Sequence, residues 1–534
     1  MSVCLKNKLL MKSYSFNQSL SSLFLFFAVI FFVSCKKDPI TPEPLPPPVI
    51  PPVVITPAPP VVKPNLVFYA LNTSNQLIKY NANAVESAQS TITINGLQSG
   101  ENIVAIDFRP ATGELYGLSS GSRLYIININ TGTARVVGTA PFSPDLPSGS
   151  VGFNFNPTVD RIRLVTSTGQ NFRMNPETGA IIATDGNING PAGANISGVA
   201  YSGNIAGSTN TVLYDIDITS QKLFRQNPPN NGTLVEIGML GVAPLGQSGF
   251  DISPDGTVSL AALNVGGQNN LYLIDTSLGK ASLLGTFSSA LQIRSIAIPT
   301  NSVAYTLDDA NNLLIFNISS PATISTKAIT GLLAGETLLG IDFRPLNGQL
   351  YALGSTSRLY TINASSGAAT VVGTTPFSTT LTGSIFGFDF NPVPDRIRVV
   401  SDRGQNLRLH PDLGTVAFVD GNLNPGTPTI SAAAYTNNFA GTTTTTLFVI
   451  DHATDKLFIQ NPPNAGALVE VGSLGINIEA ANGFDIGSTS GIAYGIFQVG
   501  ATQALYRINL TTGAATKLND FSKPVRGFTL GLGF

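Results

Sequence analysis

Acidic residues recur at corresponding positions of short apolar segments, and paired carboxylates are the groups that hydrolyse glycosidic bonds. Asp107 and Asp342 each lie in an Ile-Asp-Phe segment, and Asp389 lies in a Phe-Asp-Phe segment. Similar segments carry, at the same place, Asp251, Asp485 and Asn154. Glycosidases flank the bond that they cleave with two carboxylates, one acting as the acid and the other as base or nucleophile. Asp107, Asp342 and Asp389 are therefore the catalytic candidates if the chain is a glycoside hydrolase or lyase.

A structural role for these acids is the interpretation that the sequence favours. Strand side chains alternate between two faces, so Asp107, between Ile106 and Phe108, is predicted to face a neighbouring sheet rather than a channel. A buried carboxylate needs hydrogen-bond donors. The predicted donors are backbone N–H groups or arginines of other apolar segments, for which the candidates are Arg163, Arg173, Arg398 and Arg408.

Two further kinds of polar residue are candidates for ligand binding. Arg109 and Arg344, each followed by proline, could meet an anionic ligand such as an acidic sugar, or form an ion pair within a turn. The motif Gln-Asn-Pro-Pro-Asn occurs twice, and its amides on a stiff backbone suit sugar hydroxyls or a plain turn. Its candidate residues are Gln226, Asn227, Gln460 and Asn461.

The sequence predicts no metal site, no cofactor and no nucleic-acid partner. The only cysteines, Cys4 and Cys35, precede the folded region, and the only histidines, His410 and His452, are 452 − 410 = 42 positions apart. Twenty-nine basic and 31 acidic residues give a net charge of −2. Nucleic-acid binding requires clustered Lys and Arg that displace counterions from phosphate, and no such cluster is present in the sequence.

The chain is a tandem duplication. IDFRPATGELYGL (residues 106–118) returns as IDFRPLNGQLYAL (residues 341–353), and NPTVDRIRLV (residues 156–165) returns as NPVPDRIRVV (residues 391–400). The offset is 341 − 106 = 391 − 156 = 235 in both cases. A constant offset over long segments indicates two copies of one domain. The copies are predicted at residues 65–299 and 300–534.

Each copy is predicted to be all-β. Short β-branched and aromatic segments are separated by Gly, Asn, Asp and Pro, without a helical period. Units of roughly 47 residues with four strands each are typical of β-propeller blades. The first blade of each copy lacks an inner strand, which residues 293–298 and 525–530 could supply. We therefore expect two tandem five-bladed rings, with a single ten-bladed ring as the alternative.

The N-terminal residues predict an exported lipoprotein, with a signal peptide over residues 1–34 and a lipidated tether over residues 35–64. The apolar run LFLFFAVIFFV (residues 23–33) has the length of a signal-peptide core rather than of a membrane span. FVSC (residues 32–35) resembles the lipobox of bacterial lipoproteins, which implies acylation of Cys35 and export to the outer membrane, on its surface or periplasmic face. The proline-rich tether favours extended polyproline II.

Several longer motifs resemble a known bacterial family. They are GIDFRPLNGQLYAL (residues 340–353), DRIRVV (residues 395–400), GQNLR (residues 404–408) and QNPPN (residues 460–464), each with a counterpart in the first copy. Together they resemble the family called domain of unknown function 4394, over nearly all of residues 65–534. The resemblance implies a propeller-like, exported protein and brings no catalytic motif with it.

These observations predict a surface-anchored, non-catalytic binding module, attached to the membrane by lipid, whose partner is a polysaccharide or an envelope protein. A glycoside hydrolase or lyase and a structural envelope component without a discrete ligand are the alternatives. Acids within about 5–10 Å of each other on a ring axis would favour the enzyme. Acids buried against arginine would favour binding or structure.

Overall fold

The computed structural model describes residues 61–480 and 482–534. Within them, forty strands form ten four-stranded antiparallel sheets, accompanied by two 3-10 turns at Pro229–Asn231 and Pro463–Ala465. The predicted signal peptide, Cys35 and most of the predicted tether lie outside the described residues. Over the described ranges, no helix has the length and apolar character needed to cross a membrane.

The first ring is built from twenty strands that form five blades. They are β1 (Val67–Asn72), β2 (Gln76–Asn81), β3 (Ser90–Thr93), β4 (Ile103–Phe108), β5 (Leu115–Ser119), β6 (Leu124–Ile127), β7 (Ala134–Val137), β8 (Val151–Asn156), β9 (Arg161–Thr166), β10 (Asn171–Met174), β11 (Ile181–Thr184), β12 (Ile196–Tyr201), β13 (Leu213–Asp217), β14 (Lys222–Gln226), β15 (Leu234–Met239), β16 (Pro244–Ile252), β17 (Ser259–Val265), β18 (Gln268–Ile274), β19 (Ala281–Thr286) and β20 (Ile293–Ala297).

The second ring repeats this plan with a further twenty strands. They are β21 (Ala304–Leu307), β22 (Asn312–Asn317), β23 (Ser320–Ala328), β24 (Leu338–Arg344), β25 (Gln349–Gly354), β26 (Arg358–Ile362), β27 (Ala369–Val372), β28 (Phe386–Asn391), β29 (Arg396–Ser401), β30 (Asn406–His410), β31 (Thr415–Val419), β32 (Ile430–Tyr435), β33 (Leu447–Asp451), β34 (Lys456–Gln460), β35 (Leu468–Ser473), β36 (Asn482–Ile486), β37 (Ala493–Val499), β38 (Thr502–Ile508), β39 (Ala515–Asp520) and β40 (Arg526–Leu530).

Each ring closes on itself, which confirms the prediction of two five-bladed propellers. The last strand of each ring completes its first blade, because β20 pairs with β1 and β40 pairs with β21. The strand orders of these blades are β20-β1-β2-β3 and β40-β21-β22-β23, and the other blades follow chain order. Each inner strand packs against the inner strands of two neighbouring blades. Closure thus pairs β20 and β40, the last strand of each ring, within a four-stranded blade.

The apolar cores lie between adjacent blades. In the first ring, Tyr116 of β5 packs edge-on against Phe155 of β8, with ring centroids 5.1 Å apart. In the second ring, Tyr351 and Phe390 repeat the contact at 5.2 Å. The sequence alternation that buries one face of each strand therefore joins one blade to the next.

Glycines allow the inner strands of the second ring to approach closely. A Cβ added to Gly340 would lie 2.7 Å from Phe388 Cβ, and one added to Gly483 would lie 2.4 Å from Phe528 Cβ. Side chains two positions later in a strand share the same face. These are Asp342 and Asp485, so their carboxylates also project toward the next inner strand.

In the contact between the rings, loops that follow inner strands of the first ring meet β21, β23 and the loop after β26 of the second ring. Three hydrogen bonds across this contact run from Tyr305 Oη to the Ala111 carbonyl (2.8 Å), from Ser325 Oγ to the Gly207 carbonyl (2.8 Å) and from Ser365 Oγ to the Pro157 carbonyl (3.0 Å). Leu532 joins Ala111 and Tyr305 in one apolar cluster. The contact therefore combines apolar packing with backbone acceptors.

Candidate functional site

Three carboxylates converge at the centre of the second ring. Carboxylate oxygens of Asp342, Asp389 and Asp485 lie within 4.8 Å of one another, and each side chain is at most 2% exposed. Each carboxylate accepts a hydrogen bond from a backbone N–H of the next inner strand. The bonds are Phe390 N to Asp342 Oδ2 (2.7 Å), Tyr435 N to Asp389 Oδ1 (2.9 Å) and Leu530 N to Asp485 Oδ2 (2.7 Å). The acids thus link neighbouring blades, as strand alternation predicted, and also meet at the axis.

The first ring repeats the linkage with one carboxylate fewer. Asp107 Oδ2 accepts from Phe155 N at 2.6 Å, and Asp251 Oδ2 accepts from Ile298 N at 2.6 Å. Asn154 stands between them, and its Nδ2 donates to Asp251 Oδ1 at 3.3 Å. The amide therefore supplies a donor where the second ring has a third carboxylate.

Among the described residues, backbone N–H groups rather than strand arginines hold the axial acids, so the first of the two predicted kinds of donor is confirmed and the pairing with arginine is wrong. Arg163 and Arg173 both bind Asp185, while Arg398 and Arg408 both bind Asp420. These acids lie in or just beyond the outer strands, and the long arginine side chains reach them rather than the axis.

Burial raises the pKa values of the axial acids. Burial, followed by the charge of Asp485, raises the pKa of Asp342 well above its usual value. Burial and then the charge of Asp342 do the same to the pKa of Asp389. In the first ring, burial and then the charge of Asp251 raise the pKa of Asp107.

A cavity between the inner strands of the second ring is too small for a sugar. Its volume is about 10 Å³, and it is lined by glycines, alanines and phenylalanines together with Ser431 and Asn482. Such a volume corresponds to about one water molecule. The carboxylate oxygens of the catalytic candidates Asp342 and Asp389 lie within 4.8 Å of each other, closer than the separation of about 5–10 Å expected of a glycosidase pair.

The ligand candidate Arg109 lies between the rings with its donors engaged. Its Nε donates to Asp160 Oδ1 at 2.9 Å, its Nη2 binds Asp160 and Glu177, and its Nη1 donates to the Gly348 carbonyl of the second ring at 3.0 Å. Only 1% of Arg109 is exposed. Arg109 therefore stabilises the turn through ion pairs, as the alternative interpretation of the sequence predicted, and it also stabilises the contact between the rings.

Arg344, the corresponding residue of the second ring, has more exposed partners. Its Nε donates to Asp395 Oδ1 at 2.9 Å, and its Nη2 reaches Asp412 Oδ2 at 3.1 Å. The side chains of Asp395 and Asp412 are 27% and 58% exposed. The guanidinium itself is almost wholly buried.

The Gln-Asn-Pro-Pro-Asn motifs form turns that lead into 3-10 helices. Gln226 Nε2 donates to the Pro229 carbonyl at 2.6 Å, and Gln460 Nε2 donates to the Pro463 carbonyl at 2.7 Å. Both glutamines are buried, while Asn227 and Asn461 are exposed. The glutamines therefore stabilise the turn, and Asn227 and Asn461 are among the members of the motif that solvent reaches.

A cleft between the two rings is the site that sequence reasoning missed. Its volume is about 340 Å³. The first ring contributes residues of β5 and β6 and of the turns next to these strands. The second ring contributes the loop at Phe439 and the segment at Leu532. The apolar lining comprises Leu115, Ile126, Ile127, Ile129, Phe439 and Leu532.

Glu114 and Arg135 give the cleft its charge. Glu114 Oε2 is buried without a hydrogen-bond partner, and Glu114 Oε1 lies 4.0 Å from Arg135 Nη2, beyond hydrogen-bonding distance. Burial raises the pKa of Glu114, against the lowering effect of Arg135 and Arg109. Arg135 donates to the carbonyls of Pro345 (3.0 Å) and Leu346 in the second ring. Glu114 is therefore an acceptor with spare capacity, whereas Arg135 is largely occupied.

The family model described as "Domain of unknown function (DUF4394)" matches residues 76–297 and 312–529. The chain therefore belongs to this family, as two tandem copies, which confirms the resemblance drawn from its motifs. A comparison with curated proteins gives no match.

Three solved structures share 14% sequence identity with the chain. PorZ, a surface component of the type-IX secretion system of Porphyromonas gingivalis, aligns with a TM-score of 0.26, covering 86% of this chain and 66% of its own. The extracellular domain of BT4673 from B. thetaiotaomicron has a TM-score of 0.24, with 86% and 59% covered. The Dos1 propeller has a TM-score of 0.24, with 63% and 90% covered. The chain thus spans less than two thirds of the length of the first two, and these likenesses leave its ligand open.

Proposed function

We propose that this protein is an exported, lipid-anchored envelope protein that binds a neutral saccharide, without cleaving it, in the cleft between its rings. The cleft itself carries the proposal, because its volume of about 340 Å³ falls in the range of small-ligand sites. Sites of this kind occur preferentially where two domains meet.

The lining suits a sugar ring, which has apolar C–H faces and hydroxyl edges. Phe439 is 39% exposed at the cleft and offers an aromatic face to the C–H groups. The Glu114 carboxylate can accept from hydroxyls, since its Oε1 has no donor within hydrogen-bonding distance on Arg135. Because Arg135 already donates to two carbonyls, the cleft has little to offer an acidic sugar. We therefore expect neutral saccharides to bind more tightly than acidic ones.

The absence of a second carboxylate supports binding without hydrolysis. Glycoside hydrolysis requires two carboxylates on either side of the scissile bond. Among the described residues that line the cleft, Glu114 is the only acid. The axial acids of both rings do not line the cleft.

The proposed envelope location rests on the sequence. The signal-like residues 1–34, the lipobox cysteine Cys35 and the proline-rich tether would hold the rings away from a membrane, where polysaccharide is abundant. Membrane attachment is thereby separate from ligand binding, and each can be tested alone.

The binding test uses the purified chain on immobilised mannan and β-glucan as neutral polymers and polygalacturonate as the acidic one. We expect retention on a neutral polymer without release of reducing ends. Phe439→Ala should weaken retention by about tenfold, because losing the aromatic contact should cost roughly 1.4 kcal/mol of binding free energy. Ile205→Ala is the matched control, because Ile205 is the corresponding residue of the first ring, is also 39% exposed and lies outside the cleft.

Three outcomes would contradict the proposal. Release of reducing ends would make the protein an enzyme. Equal losses from Phe439→Ala and Ile205→Ala would place binding outside the cleft. No retention on any polymer would favour a protein partner or a structural role in the envelope.

A further inference from the structure

A second cavity lies at the end of the first ring opposite to the contact between the rings. Its volume is about 370 Å³, within the range of small-ligand sites. Val104, Leu245 and Arg294 line it near the starts of β4, β16 and β20, and all its lining residues belong to the first ring. The second ring instead meets loops that follow inner strands of the first ring. The cavity therefore forms a mouth of the first ring, separate from the cleft between the rings.

Arg294 brings a positive charge to this mouth without an acid beside it. Its Nη1 donates to the Ile103 carbonyl at 3.1 Å, and its Nη2 lies 3.5 Å from the Thr73 carbonyl, which is long for a hydrogen bond. Of the described residues that line the mouth, none is Asp or Glu. Burial lowers the pKa of Arg294. Because a guanidinium binds a carboxylate through two parallel hydrogen bonds, this half-buried arginine can hold an external anion.

In the second ring, the corresponding arginine already has a carboxylate partner. Arg526 is the counterpart of Arg294, and its Nη2 lies 3.0 Å from Asp309 Oδ1. The segments VFYALNT (residues 67–73) and VAYTLDD (residues 303–309) align, so that Asp309 corresponds to Thr73. The first ring thus keeps the arginine and lacks its acid. An external carboxylate can supply at Arg294 the charge that Asp309 supplies at Arg526.

The walls of the mouth suit an apolar group beside the anion. Leu245 is 59% exposed there, Ile293 adds apolar surface, and Glu479 is the counterpart of Leu245 in the second ring. Asn269 donates to Gln292 Oε1 at 3.3 Å, which leaves Gln292 Nε2 as a donor for a ligand. Within the described lining there is no aromatic side chain, so the usual stacking partner of a sugar is missing.

We propose that the mouth of the first ring binds the carboxyl terminus of a peptide whose last side chain is apolar. Arg294 binds the carboxylate, the last side chain packs against Leu245, and Gln292 donates to a peptide carbonyl. One guanidinium balances the single charge of a carboxylate, whereas a phosphate monoester carries about −1.5 to −2 at neutral pH. The charge therefore favours a peptide terminus over a phosphorylated ligand.

The test measures binding of N-acetyl-Ala-Ala-Leu to the purified chain by titration calorimetry and thermal unfolding, beside the same peptide with an amidated carboxyl terminus. We expect one peptide per chain. The free carboxylate should bind about tenfold to hundredfold more tightly, because amidation removes charge-assisted hydrogen bonds. Glycine in place of the terminal leucine should weaken binding by about tenfold, because apolar burial is lost. Equimolar acetate or inorganic phosphate should not displace the peptide.

A substitution that copies the second ring tests the role of the unpaired charge. Thr73→Asp gives Arg294 an internal partner and should weaken peptide binding by about tenfold or more. Thr73→Asn is the uncharged control and should change the affinity by less than about twofold. Because Thr73 is exposed, both changes leave the packing of the blade intact. Arg294→Met should abolish binding, and Arg526→Met in the second ring should leave it unchanged.

Equal affinities for the free and the amidated peptide would overturn the proposal. A Thr73→Asp variant that binds like the unmodified chain would do the same, as would loss of binding in Arg526→Met but not in Arg294→Met. Displacement by equimolar acetate or phosphate would show that the mouth holds simple anions rather than peptides. Neither heat nor a Tm shift at up to about 10 mM peptide, ten times a Kd of about 1 mM, would also contradict it.

Discussion

Arg109 and Arg344 occupy corresponding positions in the two rings, yet only Arg109 is covered by the other ring. Arg109 donates to the Gly348 carbonyl across the contact, and its partner Asp160 is 1% exposed at the side chain. Arg344 binds Asp412, whose side chain is 58% exposed. The duplicated sequence thus keeps the same ion pairs while their surroundings diverge at the contact between rings.

The buried acids show the same divergence. Asp389 of the second ring corresponds to Asn154 of the first, which removes one axial carboxylate. Conversely, Asp215 of β13 corresponds to Val449 of β33. Both oxygens of Asp215 are buried without a hydrogen-bond partner, and burial raises the pKa of Asp215 to about 8. Each ring therefore carries a buried acid that the other has lost.

The largest expected difference between the rings concerns the two arginines. Arg109→Met should lower the free energy of unfolding by about 3–5 kcal/mol, because it leaves two buried carboxylates unpaired. Arg344→Met should cost about 1–2 kcal/mol, since water can solvate Asp395 and Asp412. Chemical denaturation of both variants at neutral pH measures the difference. Equal losses of unfolding free energy would show that coverage of Arg109 by the second ring adds nothing to the stability that its ion pairs provide.

An intermediate effect of opposite sign is expected at Asp215. Its folded pKa lies above its unfolded pKa, so the native state retains a proton that the unfolded state releases, and stability falls as pH rises from about 4 to about 8. Asp215→Val should therefore raise the free energy of unfolding by roughly 2–4 kcal/mol at pH 8 and much less at pH 4.

The reciprocal substitution Val449→Asp is the control for this prediction. It should destabilise the second ring with the same pH dependence. A gain from Asp215→Val that is independent of pH would indicate better packing rather than relief of a buried charge.

The smallest effect is expected at an exposed ion pair that both rings share. Lys222 Nζ lies 2.8 Å from Glu236 Oε2, and Lys456 Nζ lies 2.9 Å from Glu470 Oε2. Lys222→Met and Lys456→Met should each cost about 0.2–0.5 kcal/mol, and less in high salt, because solvent screens such pairs. Denaturation curves with and without added salt test this. A loss above about 1 kcal/mol in one ring alone would mean that the rings differ at their surfaces as well.

The sequence was sufficient to predict the ring architecture because the signals were local or repeated. The constant offset of 235 residues revealed two copies, and the strand-like segments at 293–298 and 525–530 predicted closure of each copy. The structure pairs β20 with β1 and β40 with β21 accordingly.

The site could be predicted only in part because it depends on distant contacts. Alternation around Asp107 and Asp342 predicted that the acids face the next blade, but not that their oxygens converge. A Gly-x-Asp pattern at Gly340, Gly387 and Gly483 was the available signal, since it combines close strand approach with a carboxylate two residues later. No such sequence pattern indicated the cleft, because Glu114 and Phe439 belong to different rings and come together only when the rings pack against each other.

A crystal structure of the chain with the most tightly retained neutral oligosaccharide would test the proposed function most directly. We expect a sugar ring in the cleft, with a hydroxyl donating to the Glu114 carboxylate and a C–H face against Phe439. An oligosaccharide bound elsewhere, such as at the turns of Asn227 and Asn461, would contradict the account.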